Sequence, residues 1–210
     1  MPNIPESIAN CLATTGWYAG ESIFSAELSD RLVRQARLLA DTHELKSARV
    51  GRNLGVQANA QLRSDDTRWL AHAPVDASER DAVASVTGLQ RHLNEALFLG
   101  AHEVELHFAR YAPGAFYRTH RDRFRDDDAR LVSLIFYLND HWPDDAGGEL
   151  VLYANDDSET VVTRVQPRAG TMVCFLSDRF PHEVLPATRE RYSLTGWLRR
   201  AETAVHRISP

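Results

Sequence analysis

Cysteine is scarce in this sequence. Cys11 and Cys174 are the two cysteines among 210 residues, too few for a disulfide framework or a cysteine-rich zinc site. Cys174 lies within the apolar run Thr171–Leu176, which is typical of a small buried thiol. Nothing in this cysteine usage points to an oxidising compartment, so we expect a reduced protein in the cytoplasm.

Long apolar segments and excess positive charge are missing as well. No apolar run approaches the roughly 20 residues that a membrane span needs, and the N-terminus lacks the basic and apolar regions of a signal peptide. The formal net charge of −5 disfavours general nucleic-acid binding, which favours a basic surface. We therefore expect neither a membrane nor a nucleic acid as a partner, and we expect a monomer.

The composition is that of an ordinary globular protein, and the first hundred residues favour helices. Hydrophobic residues make up 43% of the chain and charged residues 25%, which is compatible with a substantial core. Apolar residues recur at helical spacing in two long segments, and a short N-terminal segment has helical character too. We predict helices over residues 3–14, 25–42 and 76–100. Ser78 with Asp81 resembles a capping box, and Gly100 supplies the stop of the last helix.

Residues 44–66 show no such periodicity. The segment contains Gly51, Gly55 and several polar residues, and a long irregular segment in a compact domain is usually either functional or disordered. Two interpretations remain open from the residues alone. The segment is either a mobile lid over an active site or a plain surface loop.

From residue 102 onward the sequence changes to short β-rich segments separated by turn signals such as Pro113-Gly114. We predict strands over residues 103–111, 115–121, 131–138, 149–153, 160–165, 171–176, 182–185 and 191–199. Helices followed by such strands indicate a mainly β, α+β fold, in which a β-sandwich or open barrel is braced on one face by the N-terminal helices. We expect a single domain over residues 1–210, with helical support in about 1–100 and the catalytic part in about 101–200.

His120 and Asp122 form the first pair of residues with chemical potential. Residues i and i+2 of an extended strand point the same way, so this imidazole and carboxylate leave the backbone side by side. His182 follows a buried-type strand and a short polar turn, which also places it near the mouth of a barrel. Two histidines and one carboxylate form the facial triad of non-haem Fe(II) oxygenases. The same ligands serve catalytic zinc, so a zinc-dependent hydrolase remains an alternative, as does a silent binding module.

The last predicted strand carries polar residues on one face. Alternation places Arg191, Ser193, Thr195 and Trp197 together. If that face lines the barrel interior, Arg191 needs an anionic ligand or an acid, because an unpaired buried charge is costly. An internal ion pair or a solvent-exposed face is the alternative. Tyr137 would point into the same interior, where its hydroxyl needs a partner, although a core position is the simpler interpretation.

Together these residues resemble the prolyl-hydroxylase branch of the 2-oxoglutarate- and Fe(II)-dependent dioxygenases, over about residues 100–200. The matching segments are Tyr-Arg-Thr-His120-Arg-Asp122, Leu-Ile-Phe-Tyr137-Leu-Asn139-Asp-His-Trp142, Gly147-Gly148-Glu149-Leu150 and Pro181-His182-Glu183-Val184, followed by Arg191-Tyr192. The resemblance implies a double-stranded β-helix, or jelly roll, which agrees with the predicted number of strands. Residues 44–70 resemble the mobile segment that covers the active site in that branch.

The resemblance also implies roles for individual residues. His120, Asp122 and His182 would be the iron ligands. Arg191 would bind the distal carboxylate of 2-oxoglutarate as a bidentate fork, a geometry for which arginine is suited. The remaining matched positions are Tyr137 on the same carboxylate, Thr195 on the adjoining wall, Tyr111 near the metal and Trp197 near the substrate side.

The activity implied by the resemblance is 4-hydroxylation of a prolyl residue in a protein or peptide. Its cofactors would be Fe(II), 2-oxoglutarate and dioxygen, with ascorbate as a reductant, and its products hydroxyproline, succinate and CO2. The resemblance to compact bacterial enzymes suggests elongation factor Tu as the protein substrate. A proline of a ribosomal protein and a small molecule such as free proline are the alternatives.

Overall fold

The computed structural model describes residues 6–48, 61–123, 129–156 and 159–201. The helices found there are α1 (Glu6–Thr14), α2 (Ala26–Asp41) and α3 (Ala77–Leu97). The strands are β1 (Trp17–Glu21), β2 (Lys46–Ser47), β3 (Asp66–Trp69), β4 (Glu103–Tyr111), β5 (Tyr117–His120), β6 (Arg130–Tyr137), β7 (Leu150–Tyr153), β8 (Val161–Val165), β9 (Thr171–Leu176), β10 (His182–Val184) and β11 (Arg191–Arg199). All eight strands predicted after residue 102 are present, three of them (β4, β9 and β11) with the predicted bounds.

The strands form two antiparallel sheets. The large sheet has seven strands in the order β1-β9-β6-β11-β4-β3-β2, and the small sheet has four in the order β5-β10-β7-β8. The mainly β prediction is therefore confirmed, and the two sheets are consistent with the expected jelly roll. None of the helices in the described ranges combines the length and the apolar character that a membrane crossing requires.

Alternation along the strands separates two clusters of buried side chains. On β9, Met172 and Cys174 belong to a cluster that also contains helix residues such as Leu32 and Leu89. Val173 and Phe175 on the same strand belong to a second cluster with residues of the small sheet. Because successive side chains of a strand point to opposite faces, β9 contributes one set of side chains to the cluster that contains helix residues and the other set to the cluster that contains residues of the small sheet.

The ends of α3 differ from their prediction. Asp76 is the N-cap residue, and its carboxylate accepts a hydrogen bond from the backbone N–H of Glu79. The predicted capping box of Ser78 with Asp81 is therefore wrong, because Asp76 already supplies the acceptor. The helix ends at Leu97, three residues before Gly100, because Phe98 adopts the left-handed conformation (φ 53°) and its N–H bonds the carbonyl of Asn94.

The segment before α3 connects the two sheets. Residues 62–64 lie along the outer edge of β5, since the N–H of Ser64 bonds the carbonyl of Phe116 and the N–H of Arg118 bonds the carbonyl of Leu62. The chain then enters β3, which pairs with β4 of the large sheet. Residues 49–60 of the predicted mobile segment lie outside the described residues.

Candidate active site

The two sheets bring His120, Asp122 and His182 together. His120 ends β5 and pairs directly with His182, the first residue of β10. One potential ligand atom from each of the three residues lies within 4.8 Å of the others. The Nε2 atoms of His120 and His182 are 3.6 and 3.5 Å from the carboxylate oxygens of Asp122. A single metal ion could therefore contact all three side chains.

Backbone carbonyls orient both imidazoles. Nδ1 of His120 lies 2.8 Å from the carbonyl oxygen of Arg118, and Nδ1 of His182 lies 3.1 Å from that of Phe180. A carbonyl can only accept, so these contacts favour the tautomer with the proton on Nδ1. The lone pair of each Nε2 is then free to bind a metal, which is the usual arrangement of metal-bound histidine.

The protonation states suit a metal as well. Burial works to raise the pKa of the Asp122 carboxyl, but the imidazoles of His182 and His120 and the guanidinium of Arg130 hold that pKa well below its usual range. Burial, followed by the neighbouring His120, lowers the pKa of His182 to about 4. An ionised carboxylate and a neutral imidazole are the forms that bind metal ions.

Ser133 holds the carboxylate in place. Its hydroxyl donates to Oδ2 of Asp122 over 2.6 Å and lies 2.9 Å from the hydroxyl of Ser177. All three side chains are buried. The sequence prediction gave Ser133 no role. A polar residue at an inward-facing position of β6, on the same face as Tyr137, was the signal that could have found it.

A second group of side chains packs against His120. The Tyr117 ring stacks on the His120 ring, with centroids 3.5 Å apart and an angle of 13° between the planes. The guanidinium carbon of Arg63 lies 4.3 Å from the centroid of Tyr117. Arg63 in turn donates two hydrogen bonds to the buried carboxylate of Asp65. No periodic pattern marks residues 61–65, so the sequence could not predict this contact.

The candidate triad faces a cavity of about 960 Å³ between the two sheets. Its volume is at the upper end of the range typical of small-molecule sites, so a cosubstrate and part of a larger substrate could share it. Arg191, Ser193, Thr195 and Trp197 all line it, so they share a face as alternation along β11 predicted, and of the two orientations left open the inward one is found. Tyr111 lines it too.

Arg191 is a buried cation on the wall of this cavity. The residue is 2% exposed, and its Nε donates to the carbonyl of Gly148 over 2.9 Å. Its guanidinium carbon lies 5.0 Å from the ring centroid of Tyr111 and 5.2 Å from that of Tyr137. Among the described residues no carboxylate lies within 4.0 Å of it, whereas Arg63 and Arg199 both have one. Such a group is costly unless an anion binds it.

Tyr137 lies beside this guanidinium. The residue is 1% exposed, and burial raises the pKa of its phenol to about 12, so the hydroxyl remains a hydrogen-bond donor at neutral pH. Its oxygen has no hydrogen-bond partner within the described part of the chain. Buried polar groups are nearly always hydrogen-bonded in native proteins. Tyr137 therefore places an unused donor beside the guanidinium of Arg191, although Tyr137 is not among the described residues that line the cavity.

Comparison with known proteins shows relatives along most of the chain. A family model described as the 2OG-Fe(II) oxygenase superfamily matches residues 106–199. The crystal structure of a prolyl-4-hydroxylase from Pseudomonas putida superposes with a TM-score of 0.81 at 40% sequence identity. That alignment covers 93% of this chain and 98% of the Pseudomonas chain.

More distant relatives come from animals. Egl nine homolog 1 of Homo sapiens is 26% identical over 199 residues, which are 91% of this chain and 46% of the human protein. The chain therefore spans about half the length of that curated relative. A prolyl hydroxylase from Trichoplax adhaerens, solved with a hypoxia-inducible factor peptide, has a TM-score of 0.74 at 24% identity, covering 90% of this chain and 86% of that one. This last likeness is one of fold.

Proposed function

The chain belongs to the 2OG-Fe(II) oxygenase superfamily, in the branch of the prolyl hydroxylases, and we propose that it is a 2-oxoglutarate-dependent protein prolyl 4-hydroxylase. The observation that carries this proposal is the buried guanidinium of Arg191, which has no carboxylate partner among the described residues and lines the same cavity as the candidate triad. A reaction that consumes a dicarboxylic acid beside a metal requires such a pair of sites. Hydrolysis at a metal-bound water needs no second anion site, so the zinc hydrolase is not favoured.

The residues present fit iron(II) and 2-oxoglutarate. Two imidazoles and one carboxylate with open positions beyond them are the ligand set of non-haem iron oxygenases, and we assign iron binding to His120, Asp122 and His182. When bound, the iron and 2-oxoglutarate would supply the oxidising chemistry, which uses dioxygen to convert a prolyl residue to hydroxyproline while 2-oxoglutarate becomes succinate and CO2. Ascorbate would serve as a reductant.

The protein's own part in this reaction is to bind and orient. Arg191 would form a bidentate pair with the distal carboxylate of 2-oxoglutarate, and Tyr137 would donate a hydrogen bond to the same carboxylate. Tyr111 packs over the guanidinium and would keep water from it, which strengthens the ion pair because the local dielectric constant falls. Thr195 would form the adjoining wall. Ser133 would fix the orientation of the carboxylate of Asp122.

The substrate we propose is a protein that presents a prolyl residue, with elongation factor Tu as the first one to test. The bacterial prolyl-4-hydroxylase with 40% identity supports the prolyl target, and the peptide bound by the Trichoplax enzyme is compatible with a protein substrate. A ribosomal protein proline is the next to test. We propose further that the chain is one monomeric domain of the cytoplasm, in which the helices of residues 1–100 support one face of the sheets.

Mass spectrometry of oxygen incorporation tests the proposed function. The purified protein is incubated with a bacterial extract, Fe(II), 2-oxoglutarate, ascorbate and isotopically labelled dioxygen, and hydroxyproline-containing peptides are identified. We expect labelled hydroxyproline in elongation factor Tu with the wild type and none with the His182→Ala variant. Labelled hydroxyproline in another protein would change the substrate and keep the activity. An absence of label in every peptide would refute the proposal, and a reaction that proceeds without oxygen and 2-oxoglutarate would favour a hydrolase.

A further inference from the structure

The guanidinium of Arg191 is held by a turn to which the proposed roles assign no function. Its Nε donates to the backbone carbonyl of Gly148 over 2.9 Å. Arginine can bind a carboxylate in bidentate fashion either through Nε and one Nη or through both Nη atoms. Because Gly148 already accepts the N–H of Nε, the distal carboxylate of 2-oxoglutarate has to use the two Nη atoms. The carbonyl of Gly148 therefore selects the edge of the guanidinium that is open to an anion.

The two glycines of this turn adopt a backbone conformation that few other residues tolerate. The φ angles of Gly147 and Gly148 are 70° and 76°, in the left-handed region that glycine enters without steric cost. A Cβ on Gly147 would lie 2.5 Å from a backbone carbonyl oxygen of the segment before β11. One on Gly148 would lie 3.0–3.4 Å from Ala187, Trp142 and Arg191. The absence of both side chains lets the turn approach Arg191 closely enough to accept its hydrogen bond.

The indole of Trp142 packs against the same turn. Its Nε1 donates to the carbonyl of Gly147 over 3.0 Å, and its Cζ2 is the atom that a Cβ on Gly148 would approach to 3.1 Å. Trp142 is 6% exposed and belongs to a small apolar cluster of its own. It is not among the described residues that line the cavity. An indole that contacts the turn and not the cavity can influence a ligand only through Arg191.

Backbone hydrogen bonds attach the turn to the segment that leads into β11. The N–H of Gly148 bonds the carbonyl of Pro186 over 3.0 Å, and the N–H of Thr188 bonds the carbonyl of Ala146 over 2.9 Å. Arg191 comes directly after this segment, as the first residue of β11. The turn and the guanidinium are thus attached to the same short stretch of chain, so a shift of the turn should displace the guanidinium as well.

We propose that Trp142 is a positioning residue for 2-oxoglutarate. Its indole N–H holds the turn of Gly147 and Gly148 in place, and the carbonyl of Gly148 orients the guanidinium of Arg191. Because the candidate metal site binds one end of the cosubstrate and Arg191 the other, the position of the guanidinium sets the length of dicarboxylic acid that the site accepts. This inference deepens the proposed function and rests on it.

Nuclear magnetic resonance of the wild type tests whether the indole responds to the ligand. The ¹⁵N-labelled protein is loaded with zinc(II) and titrated with 2-oxoglutarate. We expect the indole N–H resonance of Trp142 to shift in a saturable way, because hydrogen bonds that follow one another along the turn polarise each other. The indole N–H of Trp17, on the edge strand β1 and outside the cavity, should stay in place. A Trp142 resonance that does not move when the protein is saturated with 2-oxoglutarate would overturn the proposal.

A single exchange removes the donor and keeps an aromatic ring. Trp142→Phe deletes the indole N–H, and its control is Trp17→Phe, the same exchange at a residue that does not line the cavity. With zinc(II) bound, Trp142→Phe should bind 2-oxoglutarate about three- to tenfold more weakly, as expected for one lost neutral hydrogen bond. Trp17→Phe should bind it as the wild type does. In an assay of turnover, the KM for 2-oxoglutarate should rise in Trp142→Phe while kcat stays unchanged, since the triad is intact.

The choice between two dicarboxylic acids separates positioning from a general loss of structure. 2-Oxoadipate carries the same end groups as 2-oxoglutarate and is longer by one methylene group. The wild type and Trp17→Phe should prefer 2-oxoglutarate by roughly tenfold or more. Trp142→Phe should lower this ratio by about threefold or more, because a displaced guanidinium no longer fits the shorter acid. A variant that is only less well folded binds both acids more weakly at an unchanged ratio, and that result would overturn the proposal.

The Nε–H resonance of Arg191 in the ligand-free protein distinguishes this inference from the proposed function. Its exchange with water should be slow in the wild type and faster in Trp142→Phe. If it is, but no prolyl residue becomes hydroxylated in the labelling experiment, the orienting contact stands and the activity fails. If hydroxylation occurs and Trp142→Phe binds both acids as the wild type does, the inference is wrong and the activity stands. If Trp142→Phe does not fold, the titration of the wild type decides.

Discussion

Arg191 provides the sharpest test at the scale of a single residue. The Arg191→Ala variant should bind 2-oxoglutarate more weakly by ~2–5 kcal/mol, the usual cost of truncating one partner of a buried charge pair. This corresponds to roughly 30- to 4,000-fold in affinity. Because Arg191 is 2% exposed, solvent would screen the interaction little. The measurement is the apparent KM for 2-oxoglutarate in an assay of succinate formation.

Arg110→Ala serves as the control for this experiment. Arg110 is paired with Glu190 and does not line the cavity, so its loss should leave the KM for 2-oxoglutarate unchanged. An unchanged KM in Arg191→Ala would remove Arg191 from the cosubstrate site. A change in kcat alone would have the same consequence, because the role assigned to this guanidinium is binding.

Ser133 should affect the affinity of the site for a metal ion without contacting the ion itself. Ser133→Ala removes the hydroxyl that donates to Oδ2 of Asp122, so the carboxylate loses its fixed orientation. Loss of such a partner typically lowers metal affinity by about 10- to 100-fold. Titration of the apoprotein with Fe(II) under anaerobic conditions would measure it. Ser29→Ala, at a buried serine of α2, should retain wild-type affinity, and equal affinities in both variants would contradict the role of Ser133.

At the scale of the elements, the segment that runs along the edge of β5 and then enters β3 is held in position by a buried ion pair. The side chain of Asp65 is fully buried and that of Arg63 is 15% exposed. Removing one partner of a buried pair typically costs about 3–5 kcal/mol, because the other charge remains uncompensated. We expect this loss of unfolding free energy in Arg63→Ala, measured by urea denaturation.

An exposed pair offers the matching control. Arg31 and Asp81 are in contact at 2.7 Å with side chains 31% and 53% exposed, so Arg31→Ala should cost no more than ~1 kcal/mol. In addition, Arg63→Ala should weaken metal binding more than Arg31→Ala does, since Arg63 supports the Tyr117 ring that stacks on His120. Equal losses of stability in the two variants would show that the Arg63–Asp65 pair does not fix this segment.

The sequence predicted the elements better than the contacts between them. Strand β11 was predicted with its bounds and with the set of residues that share a face, because an alternating pattern reports which side chains lie together, but not with the direction in which that face points. The end of α3 was missed, because Phe98 takes the left-handed conformation that was expected of Gly100, and the amide of Asn94 bonds both backbone groups of Ala101 just beyond it. The proximity of Arg63 to Tyr117 arises from a pairing between distant segments of the chain, which no local pattern encodes.

For the whole molecule, ligands should raise the stability of the fold. Each ligand that binds only the folded state stabilises it by mass action, by about 2.7 kcal/mol at a concentration of 100 Kd. For a chain of this size that corresponds to an increase in Tm of roughly 5–10 °C. Differential scanning fluorimetry with zinc(II) and 2-oxoglutarate should show two increments in the wild type.

Two variants should each lose one of these two increments in Tm. His182→Ala should lose the increment produced by the metal, and Arg191→Ala should lose that of 2-oxoglutarate while it keeps the metal increment. Binding of both ligands at an unrelated site would leave both increments intact in both variants. That result would contradict the site assignment even if the protein were active.

The positions of the sulfur-containing side chains in the fold bear on how long such an enzyme would remain active. Cys174 and Met172 of β9 belong to the buried cluster that contains helix residues, and among the described residues no cysteine or methionine lines the cavity. Burial raises the pKa of the Cys174 thiol, which suppresses the thiolate that oxidants attack. Reactive oxygen species that leak from an iron centre would therefore meet aromatic, aliphatic and charged walls first, so self-inactivation by sulfur oxidation should be slow.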